Sequence, residues 1–179
     1  MNRTRFNVIV GMILAAAASR FIPHPFNFSP IGAIALFSGT QLLDKRAAFL
    51  VPLAAMLIAD FISGFHVLIP FVYACFALSV CIGFWVRQKR SVARITTGAV
   101  IGSLIFFTIT NFGVWLLLGT YPHSSSGLMA CYLAGIPYFQ NTVLSDLFYS
   151  GVLFGGFAIA EHYSEHLREV RPLARAGLS

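Results

Sequence analysis

Apolar runs long enough to approach or cross a bilayer follow one another along almost the whole chain, separated only by short polar or basic breaks. Phe6–Ile22, Ala47–Gly64, Val67–Val86, Ile95–Gly119 and Phe139–Ala160 each come near or exceed the roughly 20 residues that span a hydrocarbon core about 30 Å thick. A soluble domain of this length has one core and could not bury them all. Charge agrees: 10% of residues are charged, against about 25% in a typical soluble domain. Backbone polar groups in lipid must be satisfied within the segment, and no alternating strand pattern is present, so the spans are helices. With the shorter Pro30–Leu43, opened by proline, the expectation is an all-α, polytopic membrane protein. It has six transmembrane helices (6–22, 30–43, 47–64, 67–86, 95–119, 139–160) in a single transmembrane domain over residues 1–179. Leu128–Ile136 is expected as a short separate segment ended by Pro137, and the tail from Glu161 as a charged, helical extension.

The basic residues set an orientation. Arg3 and Arg5 precede the first span, and Lys45 and Arg46 lie between the second and third. Arg87, Lys89, Arg90 and Arg94 follow the fourth, and Arg168, Arg171 and Arg175 follow the sixth. Arg20 alone falls on the other side. The positive-inside rule then predicts both termini in the cytoplasm of a bacterial inner membrane. A formal charge of +6 does not mark a nucleic-acid binder, because the cations form topology-like clusters and no continuous stripe. The N-terminal segment has the outline of a signal peptide, but Arg20 and the following loop lead directly into more membrane sequence, which favours a retained span.

Between the first two spans lies RFIPHPFNFSP, Arg20–Pro30, with three prolines that exclude a continuous helix. Irregular polar backbone at membrane depth is tolerated where it is buried in protein or lines a cavity. The other polar residues costly in lipid fall on the same outer half: Asp60, Asn111 about 12 Å and Asp146 about 10 Å below the outer helix ends. Together they predict a small-molecule site. Arg20 would offer an anion contact, Asn27 and Asn111 paired donors and acceptors, and His24, Asp60, Trp115 and Asp146 the remaining wall. The competing reading is a brace in which Arg20, Asp60 and Asp146 pair with one another. His66 and His123 read as interfacial residues.

Two further patterns are present. Asn27-Phe28, Gly39-Thr40 and Asp60-Phe61 are echoed by Asn111-Phe112, Gly119-Thr120 and Asp146-Leu147, which raises a possible inverted 3+3 repeat. Gly11, Ala15 and Ser19 recur at four-residue spacing on the first helix, a face suited to docking another helix, whereas Gly98/Gly102 and Gly151/Gly155 read as internal packing. Cys75, Cys81 and Cys131 have no metal or disulfide spacing, and no cofactor or metal is expected.

Nothing points to catalysis. There is no GxxxxGK[ST] phosphate loop, and neither Asp60 nor Asp146 belongs to a GxGD motif, so the chain is not expected to be an enzyme. The segments HPFNFSPIGAIALFSG, LIADFISGFH, FFTITNFGVW and IPYFQNTVLSDLFYSGVLFG resemble a bacterial membrane family of unknown function that carries a transport-protein label. That family is in turn similar to the substrate-binding S subunits of energy-coupling-factor (ECF) vitamin transporters. The resemblance implies six helices and a site near the outer face under the loop between helices one and two. It also implies small residues on helix one, here Gly11, Ala15 and Ser19, that dock a transmembrane coupling subunit carrying two ATPases. A sharply defined AxxxA signature is absent, and the chain begins Met-Asn-Arg-Thr without the N-terminal histidines of the nickel and cobalt members. The expected function is uptake of a small vitamin-like molecule. A stand-alone ion- or proton-coupled carrier and a non-transporting scaffold are the alternatives.

Overall fold

The computed structural model describes residues 1–168, which form six α-helices: α1 (Arg3–Ala18), α2 (Ile31–Gln41), α3 (Lys45–Ser63), α4 (Ile69–Gln88), α5 (Val92–Leu117) and α6 (Ser125–Tyr163). Short 3-10 turns cover Ser19–Phe21 and Glu165–Leu167, and no strand occurs among the described residues. Arg171 and Arg175 lie outside them. Local sequence explains most helix starts. Asn2, Asp44, Ser91 and Ser124 each accept a hydrogen bond from a first-turn amide, those of Arg5, Arg46, Arg94 and Gly127. Gly64, at φ 97°, ends α3 in a conformation that a side chain would resist.

The bundle is built around α2, its shortest helix. Nine of its eleven residues are buried, and it touches each of the other five helices. Close approach to α4 depends on two glycines. A Cβ on Gly39 would lie 2.2 Å from the Val80 carbonyl oxygen, and one on Gly83 2.6 Å from that of Leu36. Thr40 Oγ1 donates to Leu36 O at 2.8 Å and Gly83 O at 3.2 Å, and Phe37 packs edge-on against Phe154 and Phe157. At 1.5 Å per residue α2 is about 16 Å long, too short to reach water at both ends, so its free carbonyls need protein donors. Arg87 of α4 supplies them: its guanidinium donates to Gly39 O (Nε, 3.1 Å), Leu42 O and Leu43 O.

Four helices, α3 to α6, are long and apolar enough to cross a membrane, and large apolar side chains such as Phe61 and Ile58 face outward. Such a surface suits lipid, and the chain is read as an integral membrane protein. The remaining two of the six helices are shorter than these four. Helix α1 has 16 residues and ends at Ala18, short of Ile22, and α2 has 11.

One expectation fails at Pro137. Helix α6 runs unbroken for 39 residues through that proline, so the segment at 128–136 is its first part. The missing proline N–H costs a backbone bond, but contacts to α5 hold both sides. Cys131 Sγ faces Asn111 O at 3.4 Å and Tyr132 Oη donates to Thr108 O at 2.7 Å before the proline, and Phe139 stacks on Phe107 after it. Neighbouring helices commonly stabilise proline within membrane helices in this way.

The echoed motifs are not a structural repeat. Asn27 lies in a loop at φ 59°, whereas Asn111 is helical; Gly39 is inside α2, whereas Gly119 lies in a turn at φ 63°. Glycine roles are also redistributed. Gly98 and Gly102 meet neighbouring side chains, but Gly151 and Gly155 have nothing within 4 Å and face outward.

At one end of the bundle the α1, α3 and α5 N-termini meet the α2, α4 and α6 C-termini. Arg5, nearly fully buried, donates to Glu161 Oε1 at 2.5 Å, Gln41 Oε1 at 3.0 Å and Leu167 O, and its guanidinium covers Phe157. Arg90 approaches the same Glu161 carboxylate at 3.8 Å. The opposite end is formed by the loops at 19–30, 64–68 and 118–124, and it is open.

Candidate ligand-binding site

A cavity of about 650 Å³ opens among those three loops, a size suited to a small organic molecule. Its mouth is lined by His24, Asn27, His66 and Tyr121, its middle by Arg20, Asp60 and Asn111, and its floor by Gly32, Gly102 and Asp146.

The loop over the mouth is tied to α6. Asn141 Nδ2 donates to Phe26 O at 2.9 Å, Ser145 Oγ donates to Ser29 O at 3.2 Å, and the Phe28 ring packs between Phe148 and Tyr149. Asn27 turns the chain with a positive φ, a conformation that asparagine tolerates better than most residues.

The wall contains one compact ionic group. Arg20 Nη1 lies 3.2 Å from Asp60 Oδ1 and 3.3 Å from Met56 Sδ, while Tyr73 Oη donates to Asp60 Oδ2 at 3.0 Å. The 3-10 turn, α3 and α4 are thereby joined across the cavity edge. The guanidinium, expected as an anion contact, spends one face on this carboxylate.

Asp146 lies elsewhere. Its carboxylate accepts from Ser103 Oγ at 2.6 Å and faces the amide of Ala33. It lies so close to the N-terminus of α2 that a Cβ on Gly32 would come within 2.4 Å of Oδ1. Pro30 caps that helix without a side-chain hydrogen bond, so its first amides are free for the carboxylate, and the positive end of the helix favours it there. Arg20 and Asp146 are therefore not a pair. The expected equal depth of Asn111 and Asp146 also fails. Asn111 is about 9 Å from the end of α5, whereas Ser103, level with Asp146, is about 21 Å from it. The depth expected for Asp146 rested on a helix starting after Pro137.

Asn111 donates from Nδ2 to Phe107 O at 2.8 Å and fits against Gly135, where a Cβ would lie 2.4 Å from its Oδ1. Both residues line the cavity wall. Six of the seven residues expected to touch a ligand thus line one cavity. Trp115 does not: its Nε1 donates to Pro122 O at 2.9 Å and its ring contacts Phe112 and His123. An indole N–H needs an acceptor, and the turn after Gly119 folds Pro122 back to provide one. Sequence reasoning overlooked Tyr73, Ser103 and Ser29, whose hydroxyl is buried without a hydrogen-bond partner among the described residues. Lone hydroxyls in apolar helices usually bond to their own backbone, so nothing in the sequence set Ser103 apart, whereas Ser29 lies within the proline-rich loop that the sequence does single out.

Of the docking stripe, Gly11 and Ala15 are exposed, while Ser19 turns inward and bonds to Ala16 O and Tyr149 Oη.

A family model described as "Family of unknown function (DUF6580)" matches residues 1–168. The chain belongs to that family. No curated protein and no solved structure matches it. The matched range takes in all six helices of this DUF6580 chain, including every residue lining the cavity.

Proposed function

We propose that this protein is the substrate-binding membrane subunit of an importer, capturing a small vitamin-like molecule from the outer side of the bacterial inner membrane and energised by a partner ATPase module. The observation that carries this reading is the cavity, which is open at the loop end and floored by a buried carboxylate at the bundle's centre. Lining by apolar and aromatic side chains with a few convergent polar groups suits binding of a small organic molecule. Support for a partner is the sequence resemblance to ECF S subunits together with the outward-facing Gly11 and Ala15. On this reading the loop end faces outward and the Arg5–Glu161 end the cytoplasm, as the clustering of basic residues favours.

The orientation has a direct check. With the exposed Cys81 replaced by serine, a cysteine at Ser125 should react with a membrane-impermeant maleimide in intact cells, and one at Ser91 should not. The reverse pattern places the cavity mouth in the cytoplasm and removes the capture reading.

A second reading is a stand-alone proton- or ion-coupled carrier. It is favoured by Asp146, a buried carboxylate with no salt-bridge partner among the described residues. Reconstitution separates the two. The purified protein in liposomes should retain ligand, identified by mass spectrometry of gently extracted protein, without accumulating it under a proton gradient. Gradient-driven accumulation by this chain alone would establish the carrier instead, and failure of any ligand to co-purify or bind would leave a scaffold.

A further inference from the structure

The two carboxyl groups of the cavity are partnered differently. Arg20 neutralises Asp60 at 3.2 Å, and Tyr73 completes that group. Asp146 is 3% exposed and lines the floor, and its close partners are the uncharged Ser103 hydroxyl and the Ala33 amide. Two donors leave part of a carboxylate's four lone-pair positions open, and Asp146 lines the cavity together with Gly102 and Thr142. A buried carboxylate without a counter-charge is costly and usually faces a cationic partner or a wet path. Aromatic rings share the space: Phe106, Phe107 and Phe139 line the same cavity, the last two with centroids 4.9 Å apart. Ring faces attract cations as well as apolar bodies.

We propose that the cavity takes a small organic cation with an aromatic or apolar body, whose protonated nitrogen donates to Asp146 at the floor. This rests on the reading of the cavity as a small-molecule site and adds the ligand's charge class. An anionic ligand would have to take Arg20 from Asp60 at the wall and face the Asp146 carboxylate below. A neutral one would leave that carboxylate without its counter-charge.

Three probes of similar shape separate the classes: benzylamine, benzyl alcohol and benzoate, added at millimolar concentration to the detergent-solubilised protein while its unfolding temperature is followed. Benzylamine should raise that temperature saturably, and the other two should not. In Asp146→Asn the benzylamine Kd should weaken about ten- to hundredfold, the effect of losing a hydrogen bond to a charged group. Should that variant not fold, the wild-type series decides alone. Equal or greater stabilisation by benzyl alcohol or benzoate, no effect of benzylamine, or an unchanged Kd in Asp146→Asn would overturn the assignment. Benzoate or benzyl alcohol binding that is lost in Asn111→Ala would overturn the cation class while keeping the cavity as a binding site. The cavity reading itself falls only with the co-purification experiment.

Discussion

Gly39→Ala should unfold the detergent-solubilised protein at a markedly lower temperature than wild type, or prevent its accumulation in the membrane. The added methyl would lie 2.2 Å from the Val80 carbonyl oxygen and 3.0 Å from Gly83 Cα, both backbone atoms that no rotamer change can move. Ordinary carbon–oxygen contact needs more than 3 Å, so α2 and α4 must separate by about 1 Å along their closest line. That movement would also stretch the Thr40–Gly83 hydrogen bond and the Arg87 cap on α2. Overpacking a well-filled core costs about 1–3 kcal/mol, occasionally more, and the lost polar contacts add about 1 kcal/mol each. A loss of roughly 3–5 kcal/mol follows. Gly11→Ala is the control: nothing lies within 4 Å of its Cβ, so it should be neutral or gain up to about 1 kcal/mol from helix propensity. Comparable unfolding of the two variants would mean that α2 and α4 do not touch at Gly39 and Gly83.

The central place of α2 was not legible in the sequence, and the reason is physical. In a soluble protein a helix apolar on every side must be buried, but in lipid an exposed helix is apolar too, so IGAIALFSGTQ gives no burial signal by hydropathy. The better signal was size: Gly32, Ala33, Ala35, Ser38 and Gly39 are the small residues that let backbones meet. Helix type was legible because it depends on local hydropathy, but the capping side chains Asp44 and Ser91 were not picked out. Convergence of Arg20, Asp60, Asn111 and Asp146 on one cavity was legible because polar side chains avoid lipid whatever the fold. What each of them touches was not. Pro137 reads as a break, since its local cost is evident while the α5 contacts that offset it are distant in sequence. Misplacing that helix start misplaced the depth of Asp146. Trp115 was assigned as an aromatic wall near the proposed cavity, with no means of seeing that Pro122 would accept its N–H.

The ionic group at the wall and the carboxylate at the floor should answer opposite questions when changed. Asp60→Leu leaves the Arg20 guanidinium without its carboxylate and Tyr73 Oη without its acceptor, in a wall where Asp60 is 3% exposed. Removing one partner of a buried pair costs about 3–5 kcal/mol; because the Arg20 side chain is 20% exposed towards the cavity, the lower figure applies, about 3 kcal/mol. Much of that is the penalty of the stranded cation, so the double variant Arg20→Met/Asp60→Leu should be more stable than Asp60→Leu alone. A coupling energy of about 1–3 kcal/mol would emerge from chemical or thermal unfolding of the two single variants and the double. Strict additivity would mean that the pair does not hold the 3-10 turn to α3. Asp146→Asn should behave differently. Its side-chain oxygen can still accept from Ser103 and its shape beside Gly32 is retained, and the acceptor lost to the Ala33 amide is offset by the charge no longer buried, so unfolding should shift by no more than about 1 kcal/mol in the absence of ligand. A large loss of stability in Asp146→Asn, matching that of Asp60→Leu, would make the floor carboxylate a second brace.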